Sequence, residues 1–298
     1  MKALCLICKT VLDVDPWEQA AFSCGECGRE WNSALAIKSF DELSKKSGKD
    51  DKHGLFIDNG VLTAYLGEYG DIEIPSGVRE IGDKAFKNSY LYNKVVIPDG
   101  VARIGDEAFL NCEDFREILL PDSVSYIGDS AFSRTFISGV VIPDGVGKIG
   151  KETFSGCKYL RSVILPDSIS SIEDGAFCGC AALRSLKIPR NVSIIGASAF
   201  EGAGILNIVM PAGIKTIGDR CFKDSALRSI ALPYGTESIG YEAFCSCGSL
   251  RSIVIPESVT SIRESAFEGC YYVSRVVASE KFRSHPAFRK LRNATKWV

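Results

Sequence analysis

The chain has 298 residues, of which 46% are hydrophobic, and its formal net charge is −2. This composition excludes an intrinsically disordered chain, which has few apolar residues, and a general polyanion binder, which has a large positive charge. No apolar run approaches the roughly 18 residues of a membrane-spanning helix, so we predict no membrane segment. Lys9 and Asp13 break the apolar N-terminal run, so we expect no secretory signal and predict a cytoplasmic protein.

Two Cys-x-x-Cys pairs open the chain, Cys5 with Cys8 and Cys24 with Cys27, and fifteen residues lie between the pairs. This spacing is typical of a Cys₄ zinc ribbon, and the second knuckle, FSCGECGREW, resembles the zinc ribbons of many nucleic-acid-binding and adaptor proteins. Four thiolates leave no open coordination position, so we predict a structural Zn²⁺ that provides the folding energy of this small segment. Two disulfides are the alternative; the eight other cysteines fit a reducing compartment and favour zinc.

Beyond a polar linker, nine prolines recur at intervals of 22 or 23 residues, and a phenylalanine follows each of them eleven residues later. A fixed period of this size predicts a solenoid, in which each repeat buries its apolar face against its neighbours. The prolines are Pro75, Pro98, Pro121, Pro143, Pro166, Pro189, Pro211, Pro233 and Pro256. The phenylalanines are Phe86, Phe109, Phe132, Phe154, Phe177, Phe200, Phe222, Phe244 and Phe267.

One repeat, residues 157–177, shows the predicted elements. A short strand around Val163 ends at Pro166, which cannot donate a ladder hydrogen bond. A second apolar segment contains Ile169 and Ile172. Four of the nine repeats then read Ile-Gly-Asp, where we expect the glycine to supply a positive φ, and the phenylalanine fills the core.

A column of small residues stands three positions after each phenylalanine, and five of its nine members are cysteines. These cysteines could serve metal or redox chemistry, but free cysteine also packs as a small hydrophobe, and we favour a buried packing column. Cys178 and Cys245 directly follow a phenylalanine, and we expect both to be partly exposed. The column members are Ser89, Cys112, Thr135, Cys157, Cys180, Ala203, Ser225, Cys247 and Cys270.

The repeat pattern resembles the BspA-type leucine-rich repeat, best seen in IPDGVARIGDEAFLNCEDF at 97–115 and IPESVTSIRESAFEGCYYV at 255–273. The resemblance implies a right-handed superhelical solenoid of nine repeats of about 22–23 residues, dominated by strands with short helical turns. It also implies a parallel sheet face that binds other proteins. Many members of this family are bacterial surface proteins, so a surface adhesin is an alternative function.

The ends of the solenoid need caps, because a terminal repeat lacks one neighbour. We predict a hairpin at Asn59-Gly60 in front, and behind it a capping helix that starts near Ser284 and Pro286 and buries Phe288 and Leu291. We therefore divide the chain into a zinc ribbon (1–34), a linker (35–54), the solenoid (55–278) and a C-terminal cap (279–298).

The sequence contains no complete catalytic or nucleotide-binding motif. GVGKIGK at 145–151 matches a phosphate-binding loop, yet Glu152 stands where Ser or Thr is needed, and neighbouring repeats read GVARIGD and SVSYIGD there. The two histidines, His53 and His285, lie beside no evident nucleophile. We therefore predict a non-enzymatic protein.

The candidate binding surface is the outward face of the strands that precede the prolines. Its apolar column adjoins a row of arginines, which suggests an acidic protein partner; β-propensity and solubility explain the same residues without a partner. Lys223 is predicted to lie on the opposite edge, where Lys223→Glu should have no effect on binding. The predicted partner-binding residues are Arg116, Arg161, Ile164, Arg184, Lys187, Val209, Arg228 and Arg251.

These observations predict a protein–protein interaction module built from a zinc ribbon and a leucine-rich-repeat solenoid. Residues 279–298 form a basic tail with six Lys or Arg against one Glu. A nucleic-acid-associated protein that uses the ribbon and this tail is a further alternative. Residues 1–52 carry eight Lys or Arg against nine Asp or Glu, so the ribbon region offers no positive field for nucleic acid.

Overall fold

The computed structural model describes residues 2–4, 11–13, 21–23, 30–32, 54–65, 67, 71–89, 93–112, 114–289, 291 and 295–297. Cys5, Cys8, Cys24 and Cys27 lie outside these ranges, as does the predicted linker up to residue 53. The strands in chain order are β1 (Lys2–Leu4), β2 (Val11–Asp13), β3 (Ala21–Ser23), β4 (Glu30–Asn32), β5 (Leu55–Asp58), β6 (Val61–Tyr65), β7 (Ile72–Glu73), β8 (Glu80–Ile81), β9 (Asn93–Val96), β10 (Arg103–Ile104), β11 (Phe115–Leu119), β12 (Tyr126–Ile127), β13 (Gly139–Val141), β14 (Lys148–Ile149), β15 (Ser162–Ile164), β16 (Ser171–Ile172), β17 (Ile194–Ile195), β18 (Thr216–Ile217), β19 (Ser229–Ala231), β20 (Ser238–Ile239), β21 (Ser252–Val254), β22 (Ser261–Ile262), β23 (Arg275–Ala278) and β24 (Thr295–Trp297). Two 3₁₀ helices are η1 (Glu280–Phe282) and η2 (Pro286–Phe288).

Seven of the nine repeats contribute a short strand before the proline, and all nine contribute one after it. Where strands of successive repeats pair in these two series, they pair in parallel. We call the strands before the prolines the first ladder; an example is the pairing of Val140 with Val163. Those after the prolines form the second ladder, as in the pairing of Ile172 with Ile195. The predicted repeat solenoid is therefore confirmed.

The third side of each repeat has no strand, yet its backbone is bonded from repeat to repeat. The N–H of Phe177 donates to the carbonyl of Ala199 at 2.8 Å, and the equivalent bond recurs at each step from Tyr65 to Phe244. We call this series the turn ladder. Its phenylalanine rings stack through the core, with centroids 4.9–5.7 Å apart and planes within 10° from Phe86 to Phe267. Each phenylalanine ring fills the core of its own repeat and stacks on the ring of the next repeat.

The expected role of the Ile-Gly-Asp glycine was wrong. None of these glycines has a positive φ; they are needed because the adjacent repeat approaches too closely for a Cβ. A Cβ built on Gly105 would lie 2.4 Å from Asp83 Oδ1 and 2.5 Å from the Asp83 backbone nitrogen. Positive φ occurs elsewhere in the turn, at the position thirteen residues after each proline: Asn88, Asn111, Arg134, Gly156, Gly179, Gly202, Asp224, Ser246 and Gly269.

The aspartate of Ile-Gly-Asp explains this close approach. Its carboxylate accepts a backbone N–H from the next repeat, as in the 2.9 Å bond from Asp106 N to Asp83 Oδ1. In every repeat that carries this aspartate, the next repeat has glycine at the middle position of the equivalent turn, directly before the residue that corresponds to the aspartate. Where Lys151 and Tyr241 replace the aspartate, the following repeats have Glu173 and Arg263 instead of glycine; after Ala197 the glycine is kept as Gly218, where a Cβ would meet the backbone of Gly196 and Ala197. The pair is therefore a contact between repeats rather than a feature of one turn.

The cysteine column is buried, as predicted, and it also serves the turn ladder. The Cys180 thiol donates to the carbonyl of Phe154 at 3.1 Å, and Cys112, Cys157, Cys247 and Cys270 do the same for the phenylalanines before them. Burial raises the pKa of the Cys157 thiol to about 11, so it stays protonated at neutral pH.

The two cysteines that follow a phenylalanine differ from each other. Cys178 is half-buried, as expected, but Cys245 is buried, so the prediction of partial exposure was wrong for Cys245. The position therefore does not by itself determine exposure.

The caps continue the core stack. In front, the predicted hairpin joins β5 to β6 through Asn59 and Gly60, both at positive φ, and places Tyr65 against Phe86. Behind, η1 and η2 followed by β24 stand in place of a single capping helix, and Phe288 packs on Phe267. Both cap rings are tilted 37° from the ring that they cover.

Candidate partner-binding face

The first ladder turns one column of apolar side chains outward. Leu119, Val141 and Ile164 expose 66%, 58% and 57% of their surface in three successive repeats, while the residues directly before them are buried. Val209 is 84% exposed further along the column. Alternation along a strand produces this arrangement, because successive side chains point to opposite faces.

The predicted arginine column is exposed at the start of the same strands. Within the described residues, none of its five members lies within 4.0 Å of a carboxylate, whereas Arg103 and Arg220 elsewhere on the solenoid do. Arg184 reaches only a backbone carbonyl, that of Gly204 at 3.5 Å. Arg251 lies over the ring of Tyr272, 4.9 Å from its centroid. The column therefore offers guanidinium groups to an external anion.

The first ladder is interrupted in the middle of this face. Residues 185–187 form no strand, and Asn207 makes a single bridge to Ser229. A depression of about 430 Å³ lies at the interruption and contacts two predicted residues, Lys187 and Val209, together with Arg190. Its remaining lining residues are Asp167, Ile188, Pro189 and Pro211.

Arg190 was missed by the sequence reasoning. It directly follows Pro189, at the position where four other repeats carry the aspartates Asp99, Asp122, Asp144 and Asp167. The sequence signal for Arg190 was its positive charge at a position where those four repeats carry a negative charge. The depression itself could not be anticipated, because it depends on the lost strand pairing.

Lys223 lies on the turn side, away from the first ladder, but it is no neutral control. Its ammonium donates to the Glu242 carboxylate, and Arg220 contacts the same group. This hydrogen bond holds the pKa of Glu242 below its ordinary value. Lys223→Glu would set two carboxylates side by side, so the expectation that it does nothing is corrected.

Other reactive groups in the described part of the chain form no recognisable chemical centre. No cluster of three or more His, Cys, Asp or Glu side chains there could hold a metal ion. Burial raises the pKa of the Cys178 thiol, and Glu201 and Glu152 raise it further, so this half-buried thiol is a poor nucleophile. His285 caps η2 by accepting from the Ala287 N–H.

The helices of the described ranges are η1 and η2, each of three residues, and neither could cross a bilayer.

The strands around the two Cys-x-x-Cys pairs form two hairpins. β1 pairs antiparallel with β2 up to Leu4 and Val11, and β3 with β4 up to Ser23 and Glu30. Six residues separate the paired ends in both cases, and the Cys-x-x-Cys sequence starts at the first of them. The two pairs therefore hold equivalent sequence positions between paired strands.

Comparison with known proteins agrees with this architecture. Residues 68–161 and 147–274 match the BspA type leucine rich repeat region, in six copies. No curated protein matches the chain.

Several solved bacterial structures are similar to the chain. A leucine-rich repeat protein from Bacteroides ovatus is 27% identical, with a TM-score of 0.43 over 76% of this chain and 83% of that one. A leucine rich cell surface protein from Faecalibacterium prausnitzii is 25% identical, with a TM-score of 0.46 over 84% and 94%. The pneumococcal vaccine antigen PcpA shares the fold at 17% identity, with a TM-score of 0.50 over 74% and 75%. The repeat match spans more than half of the sequence, and the chain belongs to the BspA-type leucine-rich-repeat family.

Proposed function

We propose that the chain is a non-enzymatic interaction scaffold that binds a protein partner on the outward face of its first ladder. One observation carries the proposal: three exposed apolar side chains in successive repeats lie beside arginines that have no carboxylate partner among the described residues. Exposed apolar patches with a polar rim are typical of interaction surfaces. Strand propensity explains the β-branched residues but not the concentration of guanidinium groups beside them.

Charge reversal on this face tests the proposal. Arg161→Glu with Arg184→Glu should abolish capture of the partner from cells that express the protein, with no change in thermal unfolding. Lys148→Glu with Lys151→Glu is the matched control, because both lysines are exposed, lie outside the first ladder and change the net charge equally. Equal capture by the two double variants would show that the site is elsewhere.

We further propose that Cys5, Cys8, Cys24 and Cys27 hold one structural Zn²⁺. The equivalent placement of the two pairs between paired strands supports this, since each zinc knuckle offers two thiolates from a tight turn. Cys24→Ser should lose the metal while the solenoid unfolds as before, because the metal provides the folding energy of the ribbon alone. Elemental analysis that finds no zinc in protein purified without chelator would refute the site.

A reducing compartment is the location we propose for the chain. Five column thiols donate hydrogen bonds to buried carbonyls, and only the reduced, protonated form can do so. Oxidant treatment of the purified protein should therefore lower its melting temperature. An unchanged melt after confirmed oxidation of the column would contradict this reasoning.

A further inference from the structure

We propose that the element recognised by the first-ladder face is an amphipathic α-helix with an acidic edge, which lies along the solenoid axis and across the strands. This inference rests on the proposed function and names the partner of the same site. It concerns the surface formed by Leu119, Val141 and Ile164 with Arg116, Arg161 and Arg184, which we call the helix patch.

The repeat spacing of the patch fits a helix. Backbone hydrogen bonds join the patch between repeats, from Ser138 N to the Arg116 carbonyl at 3.1 Å and from Arg161 N to the Ser138 carbonyl at 2.8 Å. Strand-like segments bonded in this way lie about 4.8 Å apart, so each column advances by about 4.8 Å per repeat from residue 116 to residue 164. Residues three and four apart on an α-helix line one face and recur about every 5.4 Å along its axis. The mismatch between the two spacings is about 0.6 Å per repeat, or about 1.2 Å over the two bonded steps from Arg116 to Arg161, which the long arginine side chains can absorb.

An extended segment fits the same columns poorly. Side chains on one face of a strand recur every two residues, about 6.6–6.8 Å apart. The mismatch then approaches 2 Å at each repeat, so an acidic strand that is in register at one arginine is out of register at the next.

The lateral spacing also suits a helix. Within a repeat the arginine precedes the apolar residue by three positions. Both are exposed, because Arg161 lies before β15 and Arg116 lies at the register shift of β11, outside regular alternation. The two columns are therefore about 10 Å apart along the strand direction. A helix with its side chains is about 10–12 Å across, so it covers both columns and can set an apolar row on one and an acidic row on the other.

Charge complementarity selects the acidic edge. The outward segments 116–119, 138–141, 161–164 and 184–187 contain four cations against one carboxylate, Glu117. In the described structure no carboxylate lies within 4.0 Å of Arg116, Arg161 or Arg184. A helix with glutamates along one edge would pair with these groups and leave its apolar row on Leu119, Val141 and Ile164.

Three fluorescein-labelled peptides of 18 residues test the inference by fluorescence anisotropy with the full chain. The first is an alanine-rich helix with glutamate and leucine rows at helical spacing. The second contains the same residues with glutamate and leucine alternating, and the third is the first with a central proline that breaks the helix. We expect the helical peptide to bind at least about tenfold more tightly than the other two, and its affinity to fall with added salt.

The charge-reversal variants locate the peptide on the protein. Arg161→Glu with Arg184→Glu should weaken the helical peptide about tenfold, equivalent to two exposed ion pairs of up to about 1 kcal/mol each. Lys148→Glu with Lys151→Glu should leave its affinity unchanged. Equal binding of the alternating or proline-containing peptide would overturn the inference, as would failure of the helical peptide to bind. If partner capture from cells still requires Arg161 and Arg184 in that case, the face binds a partner of another kind and the proposed function stands.

Discussion

A methyl group on Gly150 provides a direct test of the contact between the Ile-Gly-Asp turns of neighbouring repeats. The Cβ of Gly150→Ala would lie 2.6 Å from Asp129 Oδ1, while Thr153 Oγ1 is 3.3 Å away and the Asp129 nitrogen 3.6 Å away. The carboxylate cannot move aside freely, because it accepts the Lys151 N–H at 2.9 Å. The severe contact of the added methyl is therefore with the Asp129 side chain, which a hydrogen bond between repeats holds in place.

The free energies follow from this geometry. Overpacking lowers the free energy of unfolding by about 1–3 kcal/mol. Replacing glycine restricts the unfolded chain and raises the free energy of unfolding by about 0.4–1 kcal/mol. Gly150→Ala should therefore destabilise the protein by about 1–2 kcal/mol. Asp129→Ala should lose one hydrogen bond, about 0.5–1.5 kcal/mol. The double variant loses the 2.6 Å contact and keeps only the 3.3 Å contact with Thr153 Oγ1, so it should be about as stable as Asp129→Ala, and the two sites should couple by about 1–2 kcal/mol.

Gly128 supplies the matched control. Its added Cβ would lie 2.3 Å from Asp106 Oδ1 but also 2.5 Å from the Asp106 backbone nitrogen, so Asp106→Ala cannot relieve Gly128→Ala. Urea unfolding of the full chain, followed by circular dichroism, measures all six variants. Neutral Gly150→Ala, or equal rescue at both positions, would refute the proposed role of the aspartate.

Three further measurements test the turn side. Gly156 has a φ of +71°, so Gly156→Ala should destabilise by about 1–2 kcal/mol in the same urea assay. Gly147 has open space around it and no positive φ, so Gly147→Ala should be neutral or slightly stabilising. Equal free-energy costs of the two variants would contradict this distinction. Cys180→Leu should overpack its repeat by about 1–3 kcal/mol and Cys180→Ala should cost less, so a neutral Leu variant would show that the column is not buried. The Cys157 thiol has its pKa raised by burial from 9.0 to about 11, so the folded protein retains a proton that the unfolded chain loses. The free energy of unfolding should therefore be unaffected below about pH 9 and fall as the pH rises toward 11; a Cys157→Ala variant that falls equally would assign the loss to other groups.

The solenoid could be predicted from the sequence because two residue types, proline and phenylalanine, recur with its period. Proline ends a strand and phenylalanine fills a core, and their constant separation of eleven residues reflects a segment whose path is the same in every repeat. Burial of the cysteine column followed from the exclusive use of small residues. These are properties of single positions.

The contacts between repeats were harder to predict, because they depend on how closely one repeat approaches the next. Gly105 looked like a turn residue, yet the carboxylate and the backbone nitrogen of Asp83 in the preceding repeat exclude a side chain there. The substitutions Glu173 and Arg263, each one repeat after a missing aspartate, carried this information in the sequence. These two substitutions could be interpreted only once the distance between neighbouring repeats was known.

The geometry of the first-ladder face was predicted only in outline for a similar reason. The alternation that exposes Ile164 is local, but the depression at Lys187 and Arg190 arises where strand pairing is lost between repeats. The ion pair between Lys223 and Glu242 joins consecutive repeats across nineteen positions, and no local pattern shows it.

The tilted rings of the two caps bear on self-association. Inside the solenoid, parallel rings let every repeat present the same flat surface that its neighbour presents to it. A terminal ring in that orientation would offer this surface to a second molecule, and rods could then grow end to end into filaments. Tyr65 and Phe288 are turned by 37°, which removes the match at both ends. The caps thus cover the core without presenting the ring orientation with which internal repeats stack.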